Sequence, residues 1–441
     1  MTEKEFINTL YTNDNLFIMK GLNSSLVDLI YLDPPFNTKR FYSAPIGSKA
    51  AGTSFKDMWT WQDVNEAYLD TLAEKYPSLT KFIASTGKIH SKAMMAYLTY
   101  MAQRIVEMHR ILKDTGSLYL HCDQTANHYL KILLDEIFGK NNFRNEIIWC
   151  YKSRPQSKKY FGKKHDDILF YSKSDNYHFN WQEVTRPLSD ATIRKYRLLD
   201  SQGRKYRLQG RGITSSPIRS AKDVHQKWEE TNPELVVRDY LDEKTGVASE
   251  DWWEIDILNQ ASKERTGYPT QKPLALLERI VKASSNKGDI VFDPFCGCAT
   301  TCVAAQKLGR KWIGIDIEKQ AAAILVERLN SIPGWFADFI NTTTIPQRAD
   351  IEIELPSITV KERLYKEQEG LCNACGTPFN ILNLTIDHII PKSKGGGDYY
   401  ENYQLLCGNC NSIKGNRPME YLRLKIKTRE EMLENKIIFG E

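Results

Sequence analysis

Two hydrophobic periods alternate along the first third of the chain. LVDLIYL, Leu26 to Leu32, is a nearly continuous apolar run of strand length, whereas RIVEMHRILK repeats its apolar residues at helical spacing. GSLYLHCD then reads as a strand and NHYLKILLDEIFG as a helix. The theme returns from Leu274, where LALLERIVKASS and TTCVAAQKLG have helical spacing and DIVFD and KWIGID read as strands. Such alternation predicts a parallel, Rossmann-like α/β sheet. Between the two blocks, about 180–260, lies a poorly periodic, Trp-bearing insertion. After about Trp335 the polar, Pro-containing NTTTIPQRADIEIELPS reads as a connector. We therefore expect a main domain over 1–340, a linker over 341–357 and a small domain over 358–441, the last too short to hold a core without a metal staple.

At 441 residues the chain exceeds one typical core. It has no apolar run near the roughly eighteen residues of a membrane span, and MTEKEF lacks a signal-type segment, so an intracellular, cytoplasmic protein is expected. The net charge of +5 is modest but uneven. Lys and Arg outnumber acids between Tyr151 and Ser220, in runs such as KSRPQSKKYFGKK, with Tyr and Phe among them, a pattern suited to a phosphate backbone. Nine cysteines, an odd number, argue against a disulfide framework. Cys372, Cys375, Cys407 and Cys410 form two CxxC pairs, while Cys296, Cys298 and Cys302 crowd one Gly-containing turn.

Asp33, Pro34, Pro35 and Phe36 follow the first strand, where a parallel sheet binds its ligands. The prolines stiffen the backbone and restrict the residue before them, so the Asp33 carboxylate and a neighbouring carbonyl become a rigid acceptor pair beside an aromatic face. Such a pair suits the exocyclic amine of a nucleobase: hydrogen bonds accepted from its protons favour a pyramidal nitrogen and free the lone pair, while Phe36 stacks on the ring. The base has to leave its duplex to reach that place. DIVFDPFCGCATT supplies the second signal, a strand ending on Asp293, a turn with Gly297 and a helix, with Asp316 closing the next strand to grip ribose hydroxyls. GxGxxG and the P-loop are both missing, which favours a nucleoside cofactor without pyrophosphate, namely S-adenosylmethionine.

These segments resemble the amino-directed DNA methyltransferases, in the permuted β group where DPPF precedes the cofactor loop. The resemblance spans about residues 5–335 and includes FKDMW, DDILFYSK and RTGYPTQKP. It implies that Asp33, Pro34, Pro35 and Phe36 form the methyl-transfer site, that Asp293, Phe295, Gly297 and Asp316 line the cofactor pocket with Asp14 and Lys272 close by, and that the basic insertion recognises double-stranded DNA. It favours adenine N6 over cytosine N4, because Asp precedes Pro-Pro. Ala299 departs from the glycine many relatives carry. Trp252, Trp253, His121 and Cys122 are expected to pack or, for the tryptophans, to face DNA.

In the tail, two CxxC knuckles read as a structural four-thiolate zinc site. Between and after them stand Asp387 and His388 in LTIDHII, Asn402 in ENYQLL and Asn411 after the last cysteine. A carboxylate and an amide oxygen can hold one divalent cation while a neutral imidazole takes a proton from water. This resembles the HNH nucleases and their ββα-metal fold. The resemblance makes His388 the general base, Asp387 and Asn411 ligands of Mg²⁺ or Mn²⁺, Asn402 the residue orienting the loop, and Lys414 a phosphate contact. The whole then reads as a methyltransferase fused to an endonuclease, a one-chain restriction-modification protein. A cytosine N4 methyltransferase with a zinc tail that only grips DNA is the alternative.

Overall fold

The computed structural model describes residues 6–38, 40–45, 47–51, 53–64, 69–152, 158–210, 229–231, 233–332, 339–350 and 360–428. The part of the expected linker beyond 350, the end of the tail and part of the basic insertion lie outside them. The described residues form two compact units, Phe179–Glu250 and the remainder of the chain. No helix among the described residues is long and apolar enough to cross a membrane.

The larger unit is built on a nine-stranded sheet. Its strands in chain order are β1 (Thr9–Thr12), β2 (Val27–Leu32), β3 (Leu112–Cys122), β4 (Phe143–Cys150), β5 (His165–Ser172), β6 (Trp252–Glu254), β7 (Ile290–Asp293), β8 (Lys311–Asp316) and β9 (Ile340–Thr342). Across the sheet they run β6-β4-β5-β3-β2-β7-β8-β1-β9. The sheet is mixed, which corrects the expectation of a parallel one: β5 is antiparallel to both β3 and β4. The reason is local. Among the described residues no helix lies between β4 and β5, and the short connection returns the chain antiparallel.

Strand β2 alternates its burial between two cores. Ile30 and Leu32 pack with Met94, Tyr97 and Leu98 of the helix Lys92–Ile111, whereas Leu29 and Tyr31 pack with Leu276, Leu277 and Ile280 of the helix Leu274–Ser284. With both faces covered, β2 is buried along its whole length, which is why it reads as a continuous apolar run. β2 pairs in parallel with β7, Leu29 opposite Val291 and Ile30 opposite Phe292. From β2 the chain proceeds to β3 on one side, and from β7 to β8 on the other, so the β2–β7 boundary is a topological switch point where a crevice opens at the carboxyl ends. Trp253 is buried in the edge strand β6, and Trp252 is exposed.

The smaller unit carries a three-stranded antiparallel sheet. Two of its arginines are engaged internally: Arg207 donates to Asp239 at 2.8 Å and Arg204 to Asp200 at 3.0 Å, while Arg204 also lies over the Tyr240 ring. The tail is a ββα element, with β10 (Leu384–His388) antiparallel to β11 (Tyr403–Cys407) and the helix Gly408–Lys414 after it.

Candidate functional site

Asp33 leaves the end of β2 with Pro34, Pro35 and Phe36 behind it, and one carboxylate oxygen accepts a hydrogen bond from Lys272 Nζ at 2.5 Å. Lys272, expected beside the cofactor, thus holds the acceptor carboxylate itself. Downstream of the prolines, Asp57 clamps the chain by accepting the Asn37 N–H at 2.5 Å and the Thr38 N–H at 3.0 Å. The ring of Phe36 is stacked on His121, with centroids 5.7 Å apart and planes 27° from parallel. His121 is fully buried, its Nδ1 2.9 Å from the Tyr31 hydroxyl and its Nε2 3.2 Å from Asp166. Burial works against the Asp166 charge, but the His121 bond and the nearby Lys272 hold its carboxyl below the usual range.

On the other side of the switch point, Asp293 ends β7 and accepts the Phe295 N–H at 3.0 Å. Burial pushes its pKa up to about 7, against the hydrogen bonds from Thr301 and Phe295. Gly297 has φ 50°, and a Cβ there would come within 3.0 Å of the Tyr268 ring, so both conformation and space call for glycine. Its N–H donates to Asp316 at 2.7 Å, and the other Asp316 oxygen accepts the Glu318 N–H at 2.8 Å, so this acid ties the loop to β8. Burial raises the Asp316 pKa to about 6. Ala299 sits at φ 58°, a left-handed position that costs an alanine roughly 1 kcal/mol and that glycine fills freely.

Asp14 caps the helix Asn15–Gly21 through the Leu16 N–H at 2.8 Å and pairs with Arg104 at 3.0 Å. Buried Arg104 also donates to Asn15 Oδ1 at 2.6 Å, and Asn15 in turn donates to the Pro294 carbonyl at 2.9 Å, linking the two lips of the crevice. One cleft of about 640 Å³ is lined by Asp14, Asp33, Pro34, Pro35, Phe36, Lys272, Asp293, Phe295, Gly297 and Asp316 together. Trp59 lines it as well, and its buried indole N–H has no protein acceptor among the described residues. Sequence reasoning missed Arg104, Asp57 and Asp166, and expected of His121 only that it packs, as its full burial bears out. Asp57 and Asp166 stand inside quoted motifs, FKDMW and DDILFYSK, so an acid within each was the available signal; nothing in the sequence marks Arg104.

In the tail, the four sulfurs of Cys372, Cys375, Cys407 and Cys410 lie within 4.8 Å of one another. Four thiolates at about 2.3 Å from one zinc would sit about 3.8 Å apart, so the cluster fits that ion. Asp387 on β10 accepts from Gln404 Nε2 at 2.9 Å and from Lys414 Nζ at 2.9 Å. Lys414 is 1 % exposed and also donates to the His388 carbonyl at 2.7 Å, which corrects its expected role as a phosphate contact: it is an internal strut. Asn402 is buried and staples the loop after β10, accepting the Ile390 N–H at 2.9 Å and donating to the Gly397 carbonyl at 2.9 Å. Asn411 uses its amide nitrogen on Thr385 at 3.0 Å, which leaves its amide oxygen for a ligand. His388 Nε2 lies 2.7 Å from Asp398, a residue the sequence did not single out. Lys392 and then His388 hold the Asp398 carboxyl down at about 2.

Comparison with known proteins gives two family matches, a DNA methylase family of N6 and N4 enzymes over residues 27–327 and the HNH endonuclease family over residues 372–417. Type II methyltransferase M.EcaI of Enterobacter cloacae is 30 % identical over 370 residues, covering 76 % of this chain and 72 % of the relative. DNA adenine methyltransferase YhdJ of Escherichia coli K12 is 26 % identical over 332 residues, covering 75 % and 85 %. Among solved structures, the PvuII cytosine-N4-specific DNA methyltransferase aligns over 75 % of this chain and 91 % of its own, with 11 % identity and a TM-score of 0.41.

Proposed function

The chain belongs to the DNA methylase family of N6 and N4 methyltransferases, and from that premise we propose that it methylates adenine N6 in double-stranded DNA and cleaves DNA through its HNH tail. One observation carries the first half of the reading: the Asp33–Phe36 lip and the Asp293–Asp316 loop, distant in sequence, line a single cleft at the switch point of the sheet. S-adenosylmethionine fits that cleft. Buried Asp293, half-buried Asp316 and Asp14 nearby offer carboxylates to a cationic donor, whose charge favours their ionised forms, and the volume suits a nucleoside with an amino-acid tail. When bound, it supplies an electrophilic methyl group.

The residues of the chain do the rest. Lys272 occupies Asp33 Oδ2 and fixes the carboxylate rotamer, so Oδ1 remains to accept an amine proton. Pro34 and Pro35 hold the backbone carbonyl acceptor, Phe36 stacks on the base, and Asp57 keeps the segment behind them in place. Asp before Pro-Pro favours adenine, as does the relative named an adenine methyltransferase. In the tail, Asp387 and Asn411 would hold Mg²⁺ or Mn²⁺, which supplies Lewis acidity at a scissile phosphate, and the four cysteines would hold zinc. With Nε2 engaged by Asp398, His388 takes the water proton at Nδ1. Asn402 fixes the loop that follows His388.

Incubation with DNA and labelled S-adenosylmethionine, followed by base-resolution mapping, tests the methyltransferase. We expect N6-methyladenine at one defined site, lost in Asp33→Ala; no incorporation by the native chain, or the same incorporation by the variant, refutes it. The nuclease predicts Mg²⁺- or Mn²⁺-dependent cleavage lost in His388→Ala. A one-chain restriction-modification protein further requires that DNA methylated beforehand by His388→Ala resist cutting by the native chain.

A further inference from the structure

His121 has no part in the chemistry above, yet its surroundings are unusually well defined. It lies one residue before the end of β3 with no exposed surface, and both ring nitrogens are bonded, Nδ1 at 2.9 Å from the Tyr31 hydroxyl of β2 and Nε2 at 3.2 Å from Asp166 of β5. An ionised carboxylate only accepts, so Nε2 carries a proton and donates it to Asp166. In the neutral ring Nδ1 is then the acceptor, and the Tyr31 hydroxyl donates to it. Asp166 has its own anchor in the Tyr151 hydroxyl, which donates to its second oxygen at 3.2 Å. Trp149 meets the imidazole edge-on, with centroids 5.4 Å apart. Partners on the two strands flanking β3 thus lock the plane of one buried ring, and Phe36 lies stacked on that ring.

We propose that His121 is a positioning residue for methyl transfer: its imidazole, held by Tyr31 and Asp166, fixes the plane of Phe36 and thereby the plane of an extruded base beside Asp33. The proposal rests on the function proposed above. A target amine has to turn a proton toward Asp33 and its lone pair toward the methyl group at once, so a tilt of the base spoils both alignments. Phe36 sits beyond the last residue of β2, so the strand ladder does not fix its backbone, and besides the imidazole its ring has Lys272 Nζ 5.4 Å from its centroid. The fixed imidazole restrains the plane of that ring.

The test uses the full chain and a duplex carrying 2-aminopurine at the mapped target adenine, read by fluorescence, together with single-turnover methylation of the normal duplex and cofactor affinity. For His121→Ala we expect the methyl-transfer step to slow about tenfold or more and the stacking quench of extruded 2-aminopurine to weaken, with cofactor affinity within about twofold of the native value. His121→Phe keeps a ring without its bonds and should fall between the two. Tyr31→Phe and Asp166→Ala each remove one bond to the ring and should slow the step in the same direction, and they decide the matter should His121→Ala fail to fold. Tyr119, on the same strand as His121, makes a buried 2.7 Å bond to Ser284 of the helix Leu274–Ser284; Tyr119→Phe breaks that bond and should keep the native rate. A native rate and native quench in the His121, Tyr31 and Asp166 variants overturns the proposal, and so does equal slowing by Tyr119→Phe. A native chain that methylates no DNA defeats the proposed function instead.

Discussion

Replacing Asp293 by asparagine separates what the cofactor loop needs for binding from what it needs for folding. An ordinary aspartate titrates near 3.8, whereas burial, partly offset by the Thr301 and Phe295 hydrogen bonds, moves Asp293 to about 7. At about 1.4 kcal/mol per pH unit, keeping this carboxylate ionised in the folded protein costs about 4 kcal/mol at alkaline pH. The folded pKa is the raised one. The stabilising contribution of the protonated acid is therefore complete below about pH 4 and is lost as the pH rises through about 7. Asparagine keeps an oxygen for the Phe295 N–H, which lies 3.0 Å from the native carboxylate, and carries no charge to desolvate. Relative to the native chain, Asp293→Asn should gain about 2 to 3 kcal/mol of stability between pH 5 and pH 8 while losing at least about tenfold in S-adenosylmethionine affinity. Urea unfolding of both cofactor-free proteins at the two pH values, with calorimetric titration of the cofactor, measures both effects. A stability difference that does not change with pH would refute the desolvation argument.

Two further perturbations have defined outcomes. Asp57→Ala leaves the Asn37 and Thr38 N–H groups without their acceptor, and we expect methyl transfer to slow about a hundredfold at unchanged cofactor affinity, measured by single-turnover kinetics and calorimetry. Cys407→Ser, or extraction by a strong chelator, should release about one zinc per chain and make the tail protease-sensitive while the chain still binds S-adenosylmethionine; release assayed with a chromogenic chelator and limited proteolysis would check this.

Much of the local structure is legible without coordinates, because it is written in short-range terms. The apolar run of β2, the helical spacing around Leu274, the stiff Asp-Pro-Pro turn and the two CxxC knuckles each reflect backbone and side-chain preferences within a few residues. Gly297 belongs to the same class, since a left-handed turn calls for glycine wherever it occurs. Lys272 does not: its bond to Asp33 joins residues 239 positions apart, and no spacing rule connects them. The antiparallel β5, the order that sets β2 beside β7, and the burial that turns Lys414 inward likewise depend on which surfaces meet once the chain has collapsed. So does His121, an unremarkable residue in GSLYLHCD until Tyr31, Asp166 and Phe36 converge on it. Residue type and local period thus decide which groups can do chemistry, whereas packing across the sheet decides which of them share one cleft, because electrostatic, hydrogen-bonding and stacking energies depend on distance in space and not along the chain.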